Sequence, residues 1–570
     1  MRLRRLLPLF TCLLLGACAT APQPRADATL LVGQVQGSGQ RSPLEGRMVQ
    51  VEGVVSADFR PGLGGFFLQG ASDGDARTSD GVFVQADATL QVAVGDRLGV
   101  AGTVLELGGS DDQATLTTIE AERIEPLGRG RVARVVLDAP PPDWEALEGM
   151  QVEISAPLTV SGSHSLGRFG EIVASFEGRL WQPSEVAEPG SARFAQVLAD
   201  NDRRRLLLDD GSSARDPGEA WYLSGQPVPR SGSTLAATVG VVDQRHGQYR
   251  LQLTVPLQVK AAARPHPPVV DGDVRVAVFN LENLFNGDGR GGGFPTPRGA
   301  RTPQELDTQR ARLVATLLAL DADIAAVMEL ENDGHGPESS GAQLVDALAA
   351  SVPGWRLVDA GSDPGSDQIR VGLLYRADRV QTVGKPALLQ GGAFARGSRV
   401  PQAQAFRRPG GAPFVVVANH FKSKGCSGAT GEQADQGDGH ACWNPARVEA
   451  ARQLHAWLQT DPTGTGTPLQ LLVGDLNAYA MEDPLRTLAR AGWVDALAGV
   501  ATPPYTYVYE GQAGRLDHAL LSPALAPRLA GAAVWHANAD ESDELGYAND
   551  DARTPWRSSD HDPILIGLDL

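Results

Sequence analysis

Positive charge is what this sequence most lacks. Its 570 residues carry 50 Lys and Arg against 68 Asp and Glu, a formal net charge of −18. So acidic a chain has no broad electrostatic footprint for a polyanion. If its substrate is a nucleic acid or another phosphate ester, positive charge has to be supplied locally, and a divalent metal is the obvious source. Cysteine is scarce, with 4 in the chain. The apolar stretch of "MRLRRLLPLFTCLLLGAC" is too short for a comfortable membrane span, and with Arg2, Arg4 and Arg5 ahead of it the segment has the build of an export signal. Nothing has the form of a nucleophile elbow or a Walker loop. What the chain does have is Gly 66 and Pro 39, hence many turns and substantial β structure. Its length asks for several domains.

The export signal ends in Leu15-Gly16-Ala17-Cys18, which resembles a bacterial lipobox. The resemblance implies a signal peptide over residues 1–18, cleavage before Cys18 and lipidation of that residue. Residues 19–29 then serve as a tether, and Ala19 is not the aspartate that would signal inner-membrane retention. The expected place is the envelope of a Gram-negative bacterium, as an outer-membrane lipoprotein or a secreted protein. With Cys12 lost in the signal and Cys18 lipidated, Cys426 and Cys442 remain. An even pair in an exported chain is expected to be a disulfide, closing a loop rich in Gly and polar residues, with a metal site that includes His440 as the weaker alternative.

Residues 30–127 hold short apolar runs at strand spacing, "RMVQVEGVVSADF", "GGFFLQG" and "DRLGVAGTVLEL" among them. They suggest a small, OB-like β-barrel. Phe66, Phe67 and Phe83 are expected in its core rather than as base-stacking residues. Residues 128–262 form a second β-rich, OB-like region with no constellation of acids or histidines. The Pro-rich stretch 263–272 reads as a linker.

From residue 273 strands alternate with helices, the mark of an α/β layer architecture. A helix is expected over 304–320, and another opens at Asn444-Pro445 with Asn444 as its cap. Apolar runs here end again and again in polar groups: Asn280, Glu329, Asn419-His420, Asp475-Leu476-Asn477, Asp517-His518 and Asp560-His561. A lone strand-end aspartate is ordinarily a turn former. Residues two apart share a face of a strand, so Asp475 and Asn477 point the same way, and His518 points away from Asp517.

Together "NLEN", "VMELEN", "NHFKSK", "GDLNA", "RLDHAL" and "SSDHDP" resemble the endonuclease/exonuclease/phosphatase superfamily, of deoxyribonuclease-I-like fold. The loop "KSKGC…DQGDG…CWN" is similar to that of extracellular bacterial nucleases, some of which carry β-barrels ahead of the catalytic domain. The resemblance implies that residues 273–570 fold as an α/β four-layer sandwich with the site at one rim. By the same resemblance Glu329 binds the metal, with Asn280 and Asp560 assisting. His561 is the general base or a phosphate contact, partnered by Asp517. Asp475 and Asn477 orient water and phosphate, and His420 contacts phosphate and can protonate the leaving group. Whether His561 or Asp475 takes the proton stays open. Arg370, Lys422 and Arg557 are candidate phosphate contacts.

The implied activity is in-line hydrolysis of phosphodiesters by water, with Mg²⁺, Mn²⁺ or Ca²⁺ as cofactor. The implied partner is extracellular DNA before RNA, with the membrane reached only through the lipid anchor and no obligate protein partner. Alternatives are a phospholipid or inositol-phosphate hydrolase of the same fold and a non-catalytic surface protein that binds nucleic acid. For the lipid enzyme, "PPYTYVYEG" at 503–511 is the one candidate aromatic hairpin, and it reads equally as a core strand. The acidic stretch 538–554 is expected to be a solvated loop, with a Ca²⁺ site as the alternative.

Overall fold

The computed structural model describes residues 28–108, 115–361, 365–395, 397–499 and 503–570. The export signal, Cys18 and most of the tether lie outside them. Among the described residues no helix is long and apolar enough to cross a membrane.

Near the N-terminus, strands Met48–Asp58, Gly65–Gln69, Gly81–Gln85, Leu116–Arg129 and Asp96–Leu107 close a barrel in that spatial order. Phe66, Phe67 and Phe83 are buried within it. The second β region differs from the OB-like expectation. Nine of its ten described strands lie in one sheet, with parallel pairings such as Arg205–Asp209 beside Gln248–Leu253.

The C-terminal part rests on two six-stranded sheets. One has the order Trp355–Leu357, Ile369–Arg376, Ile324–Glu331, Val274–Leu284, Ile564–Leu568, Leu529–Val534. The other runs Gln381–Leu388, Gln402–Arg407, Phe414–His420, Gln470–Asp475, Asp517–Leu521, Val494–Asp495. Side-chain alternation decides what each face meets. Val274, Val276 and Val278 pack with Val416, Ala418, Leu471 and Val473 in a core between the sheets. The intervening Ala277 and Phe279 pack outward against Leu313 and Leu317 of helix Pro303–Leu320 and Leu344 of helix Ser340–Ser351. On the far side Val415, Val417 and Leu472 meet Leu454 of helix Asn444–Leu458 and Leu488 of helix Asp483–Arg490.

Two local expectations need correction. The residue before the helix at 444 is Trp443, with φ +64°, and Asn444 lies inside the first turn. Its amide donates to Asp483 (3.1 Å) instead of capping the helix. The acidic stretch 538–554 is not simply solvated. Asp540 pairs with Arg179 (2.9 Å) and Glu541 with Arg230 (2.9 Å) and Arg264 (2.7 Å), tying it to residues upstream.

These pairs belong to a firm junction between the second β region and the C-terminal part. Strand Leu180–Trp181 pairs in parallel with Gln512–Gly514, which pairs in turn with Tyr507–Tyr509. The buried side chains of Glu185 and Arg515 meet at 3.1 Å, and Ser184 donates to Glu482 (2.8 Å). The 503–511 segment is therefore a strand-bearing part of this junction. Tyr505 stacks on His536 at 3.9 Å, while Tyr509 stays 54 % exposed.

Candidate active site

The core between the two sheets ends in polar groups at one rim. Asn280 continues the face of Val276 and Val278, His420 that of Val416 and Ala418, and Asp475 that of Leu471 and Val473. Asp517 does the same ahead of Ala519 and Leu521. Alternation alone would send Glu329 outward with Ala325 and Val327. Its φ of +65° and a register break between Val327 and Leu330 turn it instead to the rim. A non-glycine residue holds such a conformation only when its surroundings enforce it. Glu329 is enforced by the Asn283 N–H, which donates to its Oε2 (2.9 Å).

The rim side chains meet one another. Asn280 Nδ2 donates to Glu329 Oε1 and to Asp475 Oδ2, both at 3.3 Å. His420 Nε2 lies 3.3 Å from the same Asp475 oxygen and 3.9 Å from Glu329. The Asn477 N–H donates to Asp475 Oδ1 (2.8 Å), and its side-chain amide donates to Phe421 O (3.2 Å). His561 Nδ1 is 2.6 Å from Asp517 Oδ2. Ligand atoms of Asp475, Asp517 and His561 lie within 4.8 Å of one another. Asp560 follows the site half-buried, accepting from Ser559 Oγ (3.4 Å). His518 faces the other way, against Ala478 O (2.8 Å), and burial lowers it to about 4.

The two imidazoles differ in charge. Burial works against protonation of both. At His561 the carboxylates of Asp517 and Asp560 outweigh it and hold the ring well above its ordinary range. At His420 burial is joined by the positive fields of Arg399 and His561, and the ring is held well below. Burial also pushes Asp475 up to about 7, helped by Asp517 and Glu329 and opposed by His561. Glu329 is raised by burial first and by Asp560 second.

The resemblance implies a divalent metal, and these residues fit one. Glu329 and Asp560 repel each other, and among the described residues no lysine or arginine forms an ion pair with Glu329. A hard cation on carboxylate and carboxamide oxygens relieves such a surplus. The triad Asp475, Asp517 and His561 is the more compact group, but Asp517 occupies His561 Nδ1 and hard cations prefer oxygen. Glu329 with Asn280 and Asp560 is therefore the better metal set.

Of the candidate phosphate contacts, Arg370 is corrected. It is buried, and its guanidinium donates to Glu331 O (3.3 Å) and Gly334 O (2.7 Å) and meets His335 (3.0 Å). It holds the loop after Glu331. Arg557 lies beside the site, but donates to Glu282 (2.6 Å) and Asp543 (2.9 Å). Lys422 sits 5.0 Å over the Trp443 ring, near the Cys426–Cys442 disulfide. Two neighbours escape sequence reasoning. Arg399 is buried, its field reaches Asp475 and Glu329, and it donates to Phe421 O. Tyr507 packs its ring 4.7 Å from that of His561. Arg399 belongs to no motif quoted above, and Tyr507 falls in the "PPYTYVYEG" stretch without being singled out there; only the fold brings them to the site.

The model of the Endonuclease/Exonuclease/phosphatase family matches residues 277–561. The chain belongs to this family. A domain of unknown function (DUF8508) matches residues 142–262. Among solved structures, an endonuclease/exonuclease/phosphatase from Bacteroides vulgatus is 16 % identical, with 52 % of this chain and 98 % of that one covered and a TM-score of 0.36. Mannosyl-6-phosphatase of Bacteroides thetaiotaomicron is 19 % identical, with 52 % and 100 % covered and a TM-score of 0.35. D. rerio TDP2, solved with a single strand DNA product, is 15 % identical, with 51 % and 97 % covered and a TM-score of 0.33. No curated protein matches the chain.

Proposed function

We propose that the chain is an exported, metal-dependent nuclease that hydrolyses phosphodiester bonds of extracellular DNA, with RNA as a lesser substrate. One observation carries the hydrolytic chemistry. An imidazole paired to a carboxylate, His561–Asp517, shares one rim with Asp475, His420, Asn280 and Glu329. Glu329, Asn280 and Asp560 would hold Mg²⁺, which supplies the positive charge missing from the chain and stabilises charge on the phosphoryl oxygens. His561, with Nδ1 held by Asp517, has Nε2 left for the attacking water or for phosphate. Asp475 and Asn477 orient that water, and His420, held neutral beside Asp475, contacts the phosphate. The fold around these residues is a four-layer sandwich, with an OB-like barrel at the N-terminus.

Export is supported by the disulfide Cys426–Cys442, which suits an oxidising compartment, and by the lipobox at Cys18. Digestion of supercoiled plasmid tests the activity. Nicking is expected with Mg²⁺ and is lost with EDTA or in His561→Ala. Hydrolysis of sphingomyelin or an inositol phosphate without any nicking would replace DNA by a lipid-type substrate. Mass spectrometry of the mature protein tests the anchor; an unmodified terminus elsewhere than Cys18 rejects it.

A further inference from the structure

A cavity of about 430 Å³ opens beside the candidate active site, at Asp560, and is walled from two sides. Tyr507 and Asp560 line it from the family region, and Ser163, His164 and Ser231 line it from the domain of unknown function. A second cavity of about 530 Å³ adjoins it, with His164 and Glu510 lining both. Apart from Glu510, every residue lining the second cavity belongs to residues 142–262. The groove made by the pair crosses the junction that Leu180–Trp181, Glu185–Arg515 and Arg179–Asp540 hold together. Its two ends are therefore fixed relative to each other.

Charge changes along the groove. The first cavity has five carboxylates, Asp560, Glu282, Glu510, Glu541 and Asp543, against Arg557 alone. An additional phosphate is repelled there, whereas an uncharged sugar and base can hydrogen-bond. In the second cavity Arg250 is spent on Glu171 and Asp209, which leaves Arg205 beside Glu510, with the exposed His164 and His246. It also holds Phe169, half-exposed, with the guanidinium carbons of Arg168 and Arg215 at 5.2 and 5.7 Å from its ring centroid. An aromatic ring beside arginines is the platform on which nucleobases stack while the neighbouring phosphate is neutralised.

We propose that the domain of unknown function completes the substrate site as a strand-binding subsite. The nucleoside attached to the scissile phosphate occupies the carboxylate-rich cavity, and the next base and phosphate are held at Phe169 by Arg205 and Arg215. This rests on the nuclease activity proposed above and names its substrate as a single strand that reaches past the reacting bond.

The test is the double variant Phe169→Ala/Arg215→Ala, whose residues stand apart from the rim. Steady-state kinetics are compared on a short single-stranded oligodeoxynucleotide and on bis(p-nitrophenyl) phosphate, which is too small to reach Phe169. The expected result is a rise of about tenfold in KM for the oligonucleotide, with kcat and the rate on the small diester unchanged. The slope of log KM against log salt concentration should also fall by about 0.7 for the lost phosphate contact. An unchanged oligonucleotide KM in an otherwise active nuclease overturns the inference, as does an equal loss on both substrates. Wild-type protein that cleaves the small diester but no oligonucleotide overturns the nuclease activity and this subsite with it.

Discussion

Two buried polar clusters in this molecule are built to opposite ends. In the nine-stranded sheet, Arg250 lies between Glu171 (2.7 Å) and Asp209 (2.9 Å). Gln252 donates to Asp209 (2.9 Å) and Asp243 (2.8 Å), and Arg245 reaches Asp243 (2.7 Å). Every carboxylate there meets a guanidinium. At the rim of the family region Glu329, Asp475, Asp517 and Asp560 share two histidines and an asparagine, and Arg399 spends a donor on Phe421 O. The first cluster is closed and serves the fold. The second keeps a surplus of negative charge where a cation and a phosphate are to be received. Burial of charge alone does not mark a site; the unbalanced remainder does.

The sharpest break in this comparison is His561→Ala. It should lower phosphodiester hydrolysis by roughly a thousandfold and leave the denaturant midpoint nearly unchanged, as read by plasmid nicking and urea titration. Glu329→Gln comes next, with a loss of about a hundredfold. Because it removes one of two repelling carboxylates, it should raise the melting temperature measured in EDTA and abolish the upward shift that Mg²⁺ gives the wild type. Arg250→Met tests the closed cluster. It strands Asp209 and Glu171 without their cation and should cost about 3–5 kcal/mol in urea unfolding.

The smallest effect is expected where the barrel meets the sheet. Glu148 is fully buried there, accepting from the Thr117 N–H (3.0 Å) and from Gln36 (3.3 Å). Burial and then Glu145 hold it well above the carboxylate range, and burial pushes Glu145 itself up to about 7. Both folded values lie above the unfolded ones. Their stabilising contribution is complete below about pH 4 and is lost as pH rises, for Glu145 through about 7 and for Glu148 well above the ordinary carboxylate range. The melting temperature should fall across that window. Glu148→Gln should flatten part of the fall and raise the melting temperature near pH 8 by roughly 2–4 °C.

Much of the rim is legible in the chain because alternation is a local rule. Once "VRVAVFN" and "FVVVANH" are taken as strands, Asn280 and His420 must continue an apolar face, and His518 must leave it. Glu329 obeys no such rule. Its motif draws attention to it, but its direction depends on a left-handed backbone that period-two counting does not contain. Arg370 was legible as a charge and illegible as a loop clamp, because its partners Glu331 and Gly334 lie on another strand's end. The acidic 538–554 stretch reads as solvated for the same reason. The arginines that bury Asp540 and Glu541 stand hundreds of residues upstream, at Arg179, Arg230 and Arg264.

The pairing of Leu180–Trp181 with Gln512–Gly514 also sets an order of events. The Glu185–Arg515 contact beside it spans 330 residues of chain. In synthesis from the N-terminus, the early strand waits with an unpaired edge until nearly the whole polypeptide has emerged. Closing so long a loop is entropically expensive and slow. The late strand belongs to the hairpin that sets Tyr507 against His561. The walled cavity thus forms only when the two ends of the story meet, and a chain cut short before residue 512 holds neither the hairpin nor His561.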